Sequence, residues 1–264
     1  MKIPALKILP AGLLETYQTM VSDGSLKEKF TSLEDAQLSN ADFSFYTSVA
    51  SVYSSKIEGE TIELDSYIKY KRFGVDFKPD HTRKIDDLYE AYEFAKKNSP
   101  TQKNISKAHA LLTKHILTKS WQGKTRNQNM YVTTSDGKIE YVACQPHEVA
   151  AEMEKLSLDL EKLLGTDLSI SEIFFFASLL HLVFVKIHPW NDGNGRSARL
   201  LEKWFIADKL GEKAWFIQSE KHYYVEHNQY YRNIRQLGIE YPSLDYTKAL
   251  DFLLMLPNAL LNDK

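Results

Sequence analysis

His188-Pro189-Trp190-Asn191-Asp192-Gly193-Asn194-Gly195-Arg196, with Arg199 three residues further on, is the stretch that decides the reading of this 264-residue chain. It follows the most apolar segment of the sequence, Ile173 to Ile187 (IFFFASLLHLVFVKI). Pro189 disfavours helical geometry at His188, so a helix through that segment must end near Ile187. A second helical pattern runs from about Gly195 to Leu210 and stops at Gly211. A buried helix therefore delivers a histidine into a short acidic, glycine-containing loop that enters a new helix. Gly-Asn-Gly at a helix N-terminus leaves backbone N–H groups free for an anion, and the helix dipole adds positive potential. Arg196 and Arg199 share one face of the first turns, a pairing suited to a polyphosphate. Asp192 is a hard oxygen ligand of the kind that holds Mg²⁺ against phosphates. His188 is the natural general base at neutral pH. Gly-Asn-Gly is also common turn chemistry, and Asp192 could simply cap a helix. From average residue usage, however, all these residues at this spacing have a chance probability below ~10⁻⁸ per position.

Working outward, the segment before this loop opens with Ser169-Ile170-Ser171-Glu172, a capping-box pattern. Val149, Met153, Leu156, Leu160 and Leu163 recur at helical spacing up to Gly165, and Pro146 is placed to open that helix. Further back, Asn129–Thr134 and Ile139–Ala143 are β-prone runs on either side of Asp136-Gly137, which predicts a hairpin. Helices are expected over about Ala41–Ile57 with a glycine stop at Gly59, over Lys84–Lys96, and over Ile105–Leu117. The region through Tyr230-Tyr231 and Tyr246 to Leu256 again reads as helices. The fold class is mostly α, a helical bundle with one small β-hairpin. The division expected is an N-terminal helical region over 1–100 and a catalytic core over 101–256.

Composition is that of a packed globular protein, with 43% hydrophobic and 26% charged residues. A formal charge of −2 gives no general reason to expect nucleic-acid or anionic-membrane binding. The apolar run is short for a span and is interrupted by His181 and Lys186, so no membrane association is expected. No signal peptide is read at the N-terminus, which Pro4 and Pro10 interrupt. One cysteine, Cys144, forms no internal disulfide, so a reducing, cytoplasmic setting is expected. His222 and His227 lack the spacing of a helical metal pair, Cys144 reads as a small buried residue, and Lys69-Tyr70-Lys71-Arg72 reads as a solvated helix end.

The loop resembles the motif of the Fic family, HxFx(D/E)GNGRxxR. Every specified position matches except Trp190, which stands where the family usually has Phe and is expected to pack inward as the loop's anchor. The resemblance extends more weakly over about Ile105 to Leu256. Trp121-Gln122-Gly123-Lys124-Thr125-Arg126 and the hairpin resemble the family's flap and its approach, and Asn228-Gln229-Tyr230-Tyr231 resembles its Tyr-rich helix.

That resemblance implies a protein adenylyltransferase using ATP and Mg²⁺. His188 would deprotonate a Ser, Thr or Tyr hydroxyl of a target protein, the chain itself included. The hydroxyl oxygen would attack the α-phosphorus and pyrophosphate would leave. Asp192 would hold Mg²⁺, Gly193, Asn194 and Gly195 would supply the anion nest, and Arg196 would grip phosphate oxygens. Tyr231 is assigned to the adenine, with His227 and Tyr230 equally placed. Gly195 favours AMP transfer, because relatives that phosphorylate their targets depart from glycine there. Relatives using another donor or removing AMP, and a non-catalytic binding module on the same fold, are the alternatives. A homo-oligomer is compatible with the sequence. The chain ends soon after the core, where many relatives carry a winged-helix domain, and none is expected here.

Ser54-Ser55-Lys56-Ile57-Glu58-Gly59 matches the family's inhibitory motif, [S/T]xxxE[G/N]. Alone it is weak, with a chance match in a chain of this length at ~0.2, and a charged residue before a glycine stop is its plain alternative. Beside the catalytic loop, it implies an inhibitory helix over about 41–59. Glu58 would pair with Arg199 in the place of the γ-phosphate, and Ser54, four residues earlier on the same face, would fix the glutamate. The hairpin residues Tyr131, Val132, Tyr141 and Val142 are assigned to docking an extended target segment on an open edge. The alternative is a plain hairpin edge packed by its neighbours.

Overall fold

A computed structural model describes residues 3–75, 79–133 and 139–262. The helices are α1 (Leu14–Met20), α2 (Asp23–Ser32), α3 (Phe45–Ile57), α4 (Leu64–Phe73), α5 (Pro79–Lys96) and α6 (Gln102–Leu112). The hairpin strands β1 (Tyr131–Thr133) and β2 (Ile139–Val142) follow. The remaining helices are α7 (Val149–Leu164), α8 (Ile170–Ile187), α9 (Asn194–Leu210), α10 (Ser219–Val225), α11 (His227–Arg235), α12 (Leu250–Leu253) and α13 (Met255–Leu261). The fold is mostly helical, with one two-stranded antiparallel sheet.

The bundle is organised around α8. Ser169 accepts from the Glu172 N–H while the Glu172 carboxylate accepts from the Ser169 N–H, so two orphan donors are satisfied at its start. From Ile173 to Ile187 every residue of α8 is buried. It is the one described helix long and apolar enough to cross a membrane, but 89% of it is buried by the rest of the chain. Helices α1, α2, α7, α9, α12 and α13 pack around it. Phe174, Phe175, Phe176, Leu180, Leu182 and Phe184 are each fully buried, at roughly 1.5–3 kcal/mol apiece. The same core takes in residues from Leu9 to Leu260, on both sides of position 100.

Helix α3 carries Glu58 at its C-cap. Ser44 caps its start by accepting from the Thr47 N–H, so the helix begins at Phe45 rather than near Ala41. Gly59 at φ +93° ends it in the conformation a glycine stop requires. Its sides are covered by α5, α9 and α10, and Val52 reaches a second small core with Ile62, Tyr67, Ile85 and Tyr89.

Other helix boundaries also differ from expectation, α5 and α6 beginning earlier, at Pro79 and Gln102. Helix α6 stops at Leu112 rather than Leu117, because the Thr113 hydroxyl turns back onto the His109 carbonyl (2.6 Å) and Asp87 captures the His115 N–H (2.8 Å). Pro146 does not open α7. Gln145 to Glu148 form a turn closed by the Glu148 N–H on the Gln145 carbonyl, and the helix starts at Val149. In the hairpin, Val132 faces Tyr141 and Tyr131 faces Val142. The predicted Asp136-Gly137 turn lies outside the described residues.

Candidate active site

The end of α8 sets the geometry. His188 is the one described non-glycine residue at positive φ (+54°, ψ 61°), the left-handed cap on which α8 ends before Pro189. Such a conformation costs about 1–2 kcal/mol and is held by surrounding contacts. Arg126 supplies them. Its Nε donates to the His188 carbonyl (2.6 Å), its Nη2 to the Ile187 and Cys144 carbonyls, its Nη1 to the Gln128 carbonyl, and its own N–H to the Pro189 carbonyl. A guanidinium that is 2% exposed thus ties the loop to the approach to the hairpin using backbone acceptors.

A second brace comes from α6. The His109 Nδ1 accepts from the Gly123 N–H (2.9 Å), so its proton is on Nε2, which donates to the Asp192 carbonyl (3.0 Å). Burial pushes its pKa down to about 4, which keeps that ring neutral. The ring stacks on Trp190 at 4.4 Å between centroids. Trp190 is buried, as expected of the loop's anchor. Gly193 (φ +77°) lies so close to α6 that a Cβ would meet Thr113 Cγ2 at 2.8 Å and Leu112 Cδ1 at 2.9 Å.

The Asn194 side chain is spent on the loop itself. Its Oδ1 accepts from the Trp190 N–H and its Nδ2 donates to the Trp190 carbonyl, both at 2.8 Å. Any contribution of Asn194 to an anion nest is therefore its backbone N–H. As first-turn residues of α9, Asn194, Gly195 and Arg196 have backbone N–H groups without intrahelical acceptors. Asp192 is exposed, with Oδ1 accepting from the Gly193 N–H. No group of three His, Cys, Asp or Glu able to hold a metal exists among the described residues. Asp192 fits Mg²⁺ only as a single carboxylate ligand shared with phosphates, which is how Mg²⁺ is commonly bound.

His188 Nδ1 lies 3.3 Å from the Val185 carbonyl and 3.1 Å from the Tyr141 hydroxyl. The carbonyl can only accept, which assigns the proton to Nδ1 and leaves the lone pair on Nε2. Burial, reinforced by the Arg126 charge against the opposing pull of Val185 and Glu58, brings the imidazole pKa down to about 4. The base is neutral at physiological pH.

Arg199 is 1% exposed and makes four hydrogen bonds. Nε donates to Ser54 Oγ (2.8 Å), Nη2 to the Ser54 carbonyl (3.0 Å) and to Glu58 Oε1 (2.6 Å), and Nη1 to the Tyr230 hydroxyl (3.4 Å). Ser54 therefore holds the arginine, not the glutamate as the helical spacing suggested. Burial opposes ionisation of Glu58, but Arg199 and Arg196 outweigh it and hold the carboxyl below its ordinary pKa. Gly195 completes the contact, because a Cβ there would collide with Glu58 Oε1 and press on the Arg199 guanidinium. Arg196 is 4% exposed with Nη2 3.9 Å from Glu60. Its buried Nε has no partner among the described residues, which suits it to an incoming anion.

Beside Glu58 opens a cavity of about 780 Å³ between the end of α3, the hairpin and α11, a size that suits a small ligand. Glu58, Val132, Glu140, His227, Tyr231 and Arg235 are among its lining residues. Of the three residues equally placed for a base, Tyr231 and His227 reach the cavity, whereas Tyr230 is buried beneath it.

The four hairpin residues divide. Tyr131 is exposed and Val132 lines the cavity. Tyr141 is 4% exposed and turned onto His188, so it does not face a docked target. Val142 donates its N–H to the Ile239 carbonyl and pairs with Glu240, which covers that edge of β2. The outer edge of β1 has no strand partner among the described residues.

Arg126 and His109 carried no assigned role in the sequence. A lone histidine on the apolar face of the α6 pattern was the available sign for His109. For Arg126, nothing in the local sequence signals that its side-chain acceptors lie as far as 62 residues away.

Residues 99–206 match the model of the Fic/DOC family. Over 99% of its length the chain resembles a Fic family protein from Desulfovibrio desulfuricans G20, with a TM-score of 0.75, 19% identity and 76% of that chain covered. A Fic domain containing signaling protein from Bacteroides thetaiotaomicron VPI-5482 gives a TM-score of 0.68 at 19% identity, covering 92% of this chain and 93% of that one. A segment of Fic-1 from C. elegans gives 0.66 at 15% identity, covering 96% and 71%. No curated protein matches. The chain thus has the fold of these Fic proteins, and its residues 99–206 are similar to the Fic/DOC family. Domains of this family are generally transferases that act on proteins.

Proposed function

We propose that this protein is an adenylyltransferase that moves AMP from ATP to a hydroxyl of a target protein and is held in check by its own Glu58. The observation that carries the reading is the convergence of three groups. The glycine-lined start of α9 with Arg199 and the cavity lined by Tyr231 both adjoin the Glu58 carboxylate, and His188 lies near enough for the Glu58 charge to act on its imidazole.

In this reading, the adenosine occupies the cavity against Tyr231 and the phosphates run to the start of α9. The N–H groups of Asn194, Gly195 and Arg196 and the Arg196 side chain receive phosphate oxygens. Asp192 holds Mg²⁺, which neutralises charge on the phosphates. His188 Nε2 takes the proton of the target hydroxyl as its oxygen bonds to the α-phosphorus. The bond from that phosphorus to the bridging oxygen breaks, and pyrophosphate leaves with its electron pair. Val185 and Tyr141 keep the imidazole oriented while Arg126 holds its backbone. The target segment adds to the open edge of β1 beside Tyr131.

Glu58 inhibits by occupying the Arg199 Nη2 position that the terminal phosphate needs, so bound ATP presents its α-phosphorus out of line. The lone free cysteine fits a cytoplasmic setting.

Incubation of the Glu58→Gly protein with ATP radiolabelled at either the α- or the γ-phosphate tests the reaction type. Protein-bound label from the α position alone, lost on His188→Ala, is expected. Label from the γ position would mean kinase chemistry, and none from either would favour another donor or a binding role.

A further inference from the structure

Behind Arg199, a line of buried polar groups runs into the core and ends on a carboxylate. Glu202 lies three residues further along α9, and its side chain and that of His181 on α8 are 0% exposed. Tyr223 of α10 and Tyr230 of α11 are 0% and 1% exposed. Glu202 Oε2 is 2.7 Å from His181 Nδ1 and accepts from the Tyr223 hydroxyl at 2.9 Å. An ionised carboxylate can only accept, so His181 carries its proton on Nδ1. Its Nε2 then presents a lone pair to the Tyr230 hydroxyl, 2.9 Å away, which must donate. That leaves the Tyr230 oxygen to accept from Arg199 Nη1 (3.4 Å). Each bond fixes the direction of the next. The neighbouring buried carboxylate, Glu220, is separately satisfied by Lys203 and Tyr92. The Glu202 path ends on the Arg199 guanidinium.

The other contacts of Arg199 give this path its meaning. Three of its four hydrogen bonds go to α3, two of them to Ser54 and one to Glu58. Tyr230 is the one hydrogen-bond partner outside α3 among the described residues. Whatever loosens α3 removes the other three together.

We propose that Glu202, His181 and Tyr230 are positioning residues, a directional relay that keeps Arg199 aimed at the catalytic loop when it exchanges the Glu58 carboxylate for the terminal phosphate of a nucleoside triphosphate. The proposal rests on the nucleotide-transfer reading above. A relay of this kind acts on the terminal phosphate and not on the rest of the ligand. Damage to packing would weaken every nucleotide alike.

The test compares MgATP with MgADP by calorimetry in the Glu58→Gly protein, with and without Tyr230→Phe or Glu202→Gln. Each added substitution is expected to weaken MgATP about fivefold, the loss of one ordinary hydrogen bond, in keeping with the long 3.4 Å contact of Tyr230 with Arg199, and to leave MgADP within about twofold. Glu202→Gln touches neither Arg199 nor the ligand, so its selective effect separates a relay from a simple tyrosine contact. Nitrogen NMR of His181 should find the proton on Nδ1. Equal losses for both nucleotides, no loss for either, or a proton on Nε2 would overturn the relay. If the Glu58→Gly protein binds neither nucleotide while His181 still carries its proton on Nδ1, the nucleotide reading fails, and the phosphate role of the relay falls with it.

Discussion

Replacing Glu58 with glycine removes a carboxylate 2.6 Å from the Arg199 Nη2 and leaves Ser54 and Tyr230 in place on the same guanidinium. Arg199 is 1% exposed, whereas the Glu58 side chain is 27% exposed, so solvent screens the pair from one side only. Charged hydrogen bonds in such settings contribute about 1.5–3 kcal/mol, and about 2 kcal/mol is a fair value here. That is the free energy a terminal phosphate must overcome to take the Nη2 position, and it corresponds to roughly 30-fold in productive binding. The rate of labelling from ATP carrying label at the α-phosphate, measured well below saturation, should therefore rise about 30-fold in Glu58→Gly. Glu58→Gln, which keeps the shape and loses the charge, should fall between the two. Losing the partner of a buried cation should also lower the melting temperature of the ligand-free variant, and MgATP should restore it more than it shifts the parent. Parent and Glu58→Gly proteins that label at the same rate would refute the reasoning, because Arg199 would then have no part in discriminating productive from unproductive ATP.

Two further outcomes follow from the same geometry. With its pKa lowered from 6.5 to about 4, His188 holds its lone pair throughout the neutral range, so labelling should stay level as the pH falls through 6.5 and decline only well below it. A midpoint near 6.5 would contradict the burial of the base. The sign for stability agrees: the unfolded histidine binds protons that the native one does not, so the contribution is complete above 6.5 and is lost as the pH falls toward about 4. Gly193→Ala forces a side chain to φ +77° and against Thr113 and Leu112 of α6. It should destabilise the fold by about 2–3 kcal/mol in denaturant unfolding and abolish labelling, and a variant with parental stability would show that the loop tolerates more room than it has.

What the sequence made legible was the part governed by local rules. The Ser169–Glu172 capping box, the proline after His188 and the glycines at 59 and 193 act within a few residues, and they fix the central helix, its end and the turn. The pairing of Glu58 with Arg199 joins residues 141 apart and was readable only through the resemblance of two motifs. The role of Ser54 was misread, because helical spacing places it beside Glu58 without saying that Arg199 lies between the two. Tyr141 was misread for a related reason. Strand alternation would expose one of Glu140 and Tyr141, yet α11 and the end of α8 cover β2 from two sides, and both are buried. The contacts of His109 and Arg126 with the loop span 83 and 62 residues and go to backbone atoms, so neither pairing leaves a sequence pattern of its own.

Mass spectrometry of proteins modified by the Glu58→Gly variant with Mg-ATP in cell lysate bears most directly on the assignment. The account predicts hydroxyl side chains that have gained the mass of one AMP, on a target or on the protein itself, with the adduct absent when His188 is also replaced by alanine. Adducts with the mass of a single phosphate, or AMP adducts that persist without His188, would contradict it.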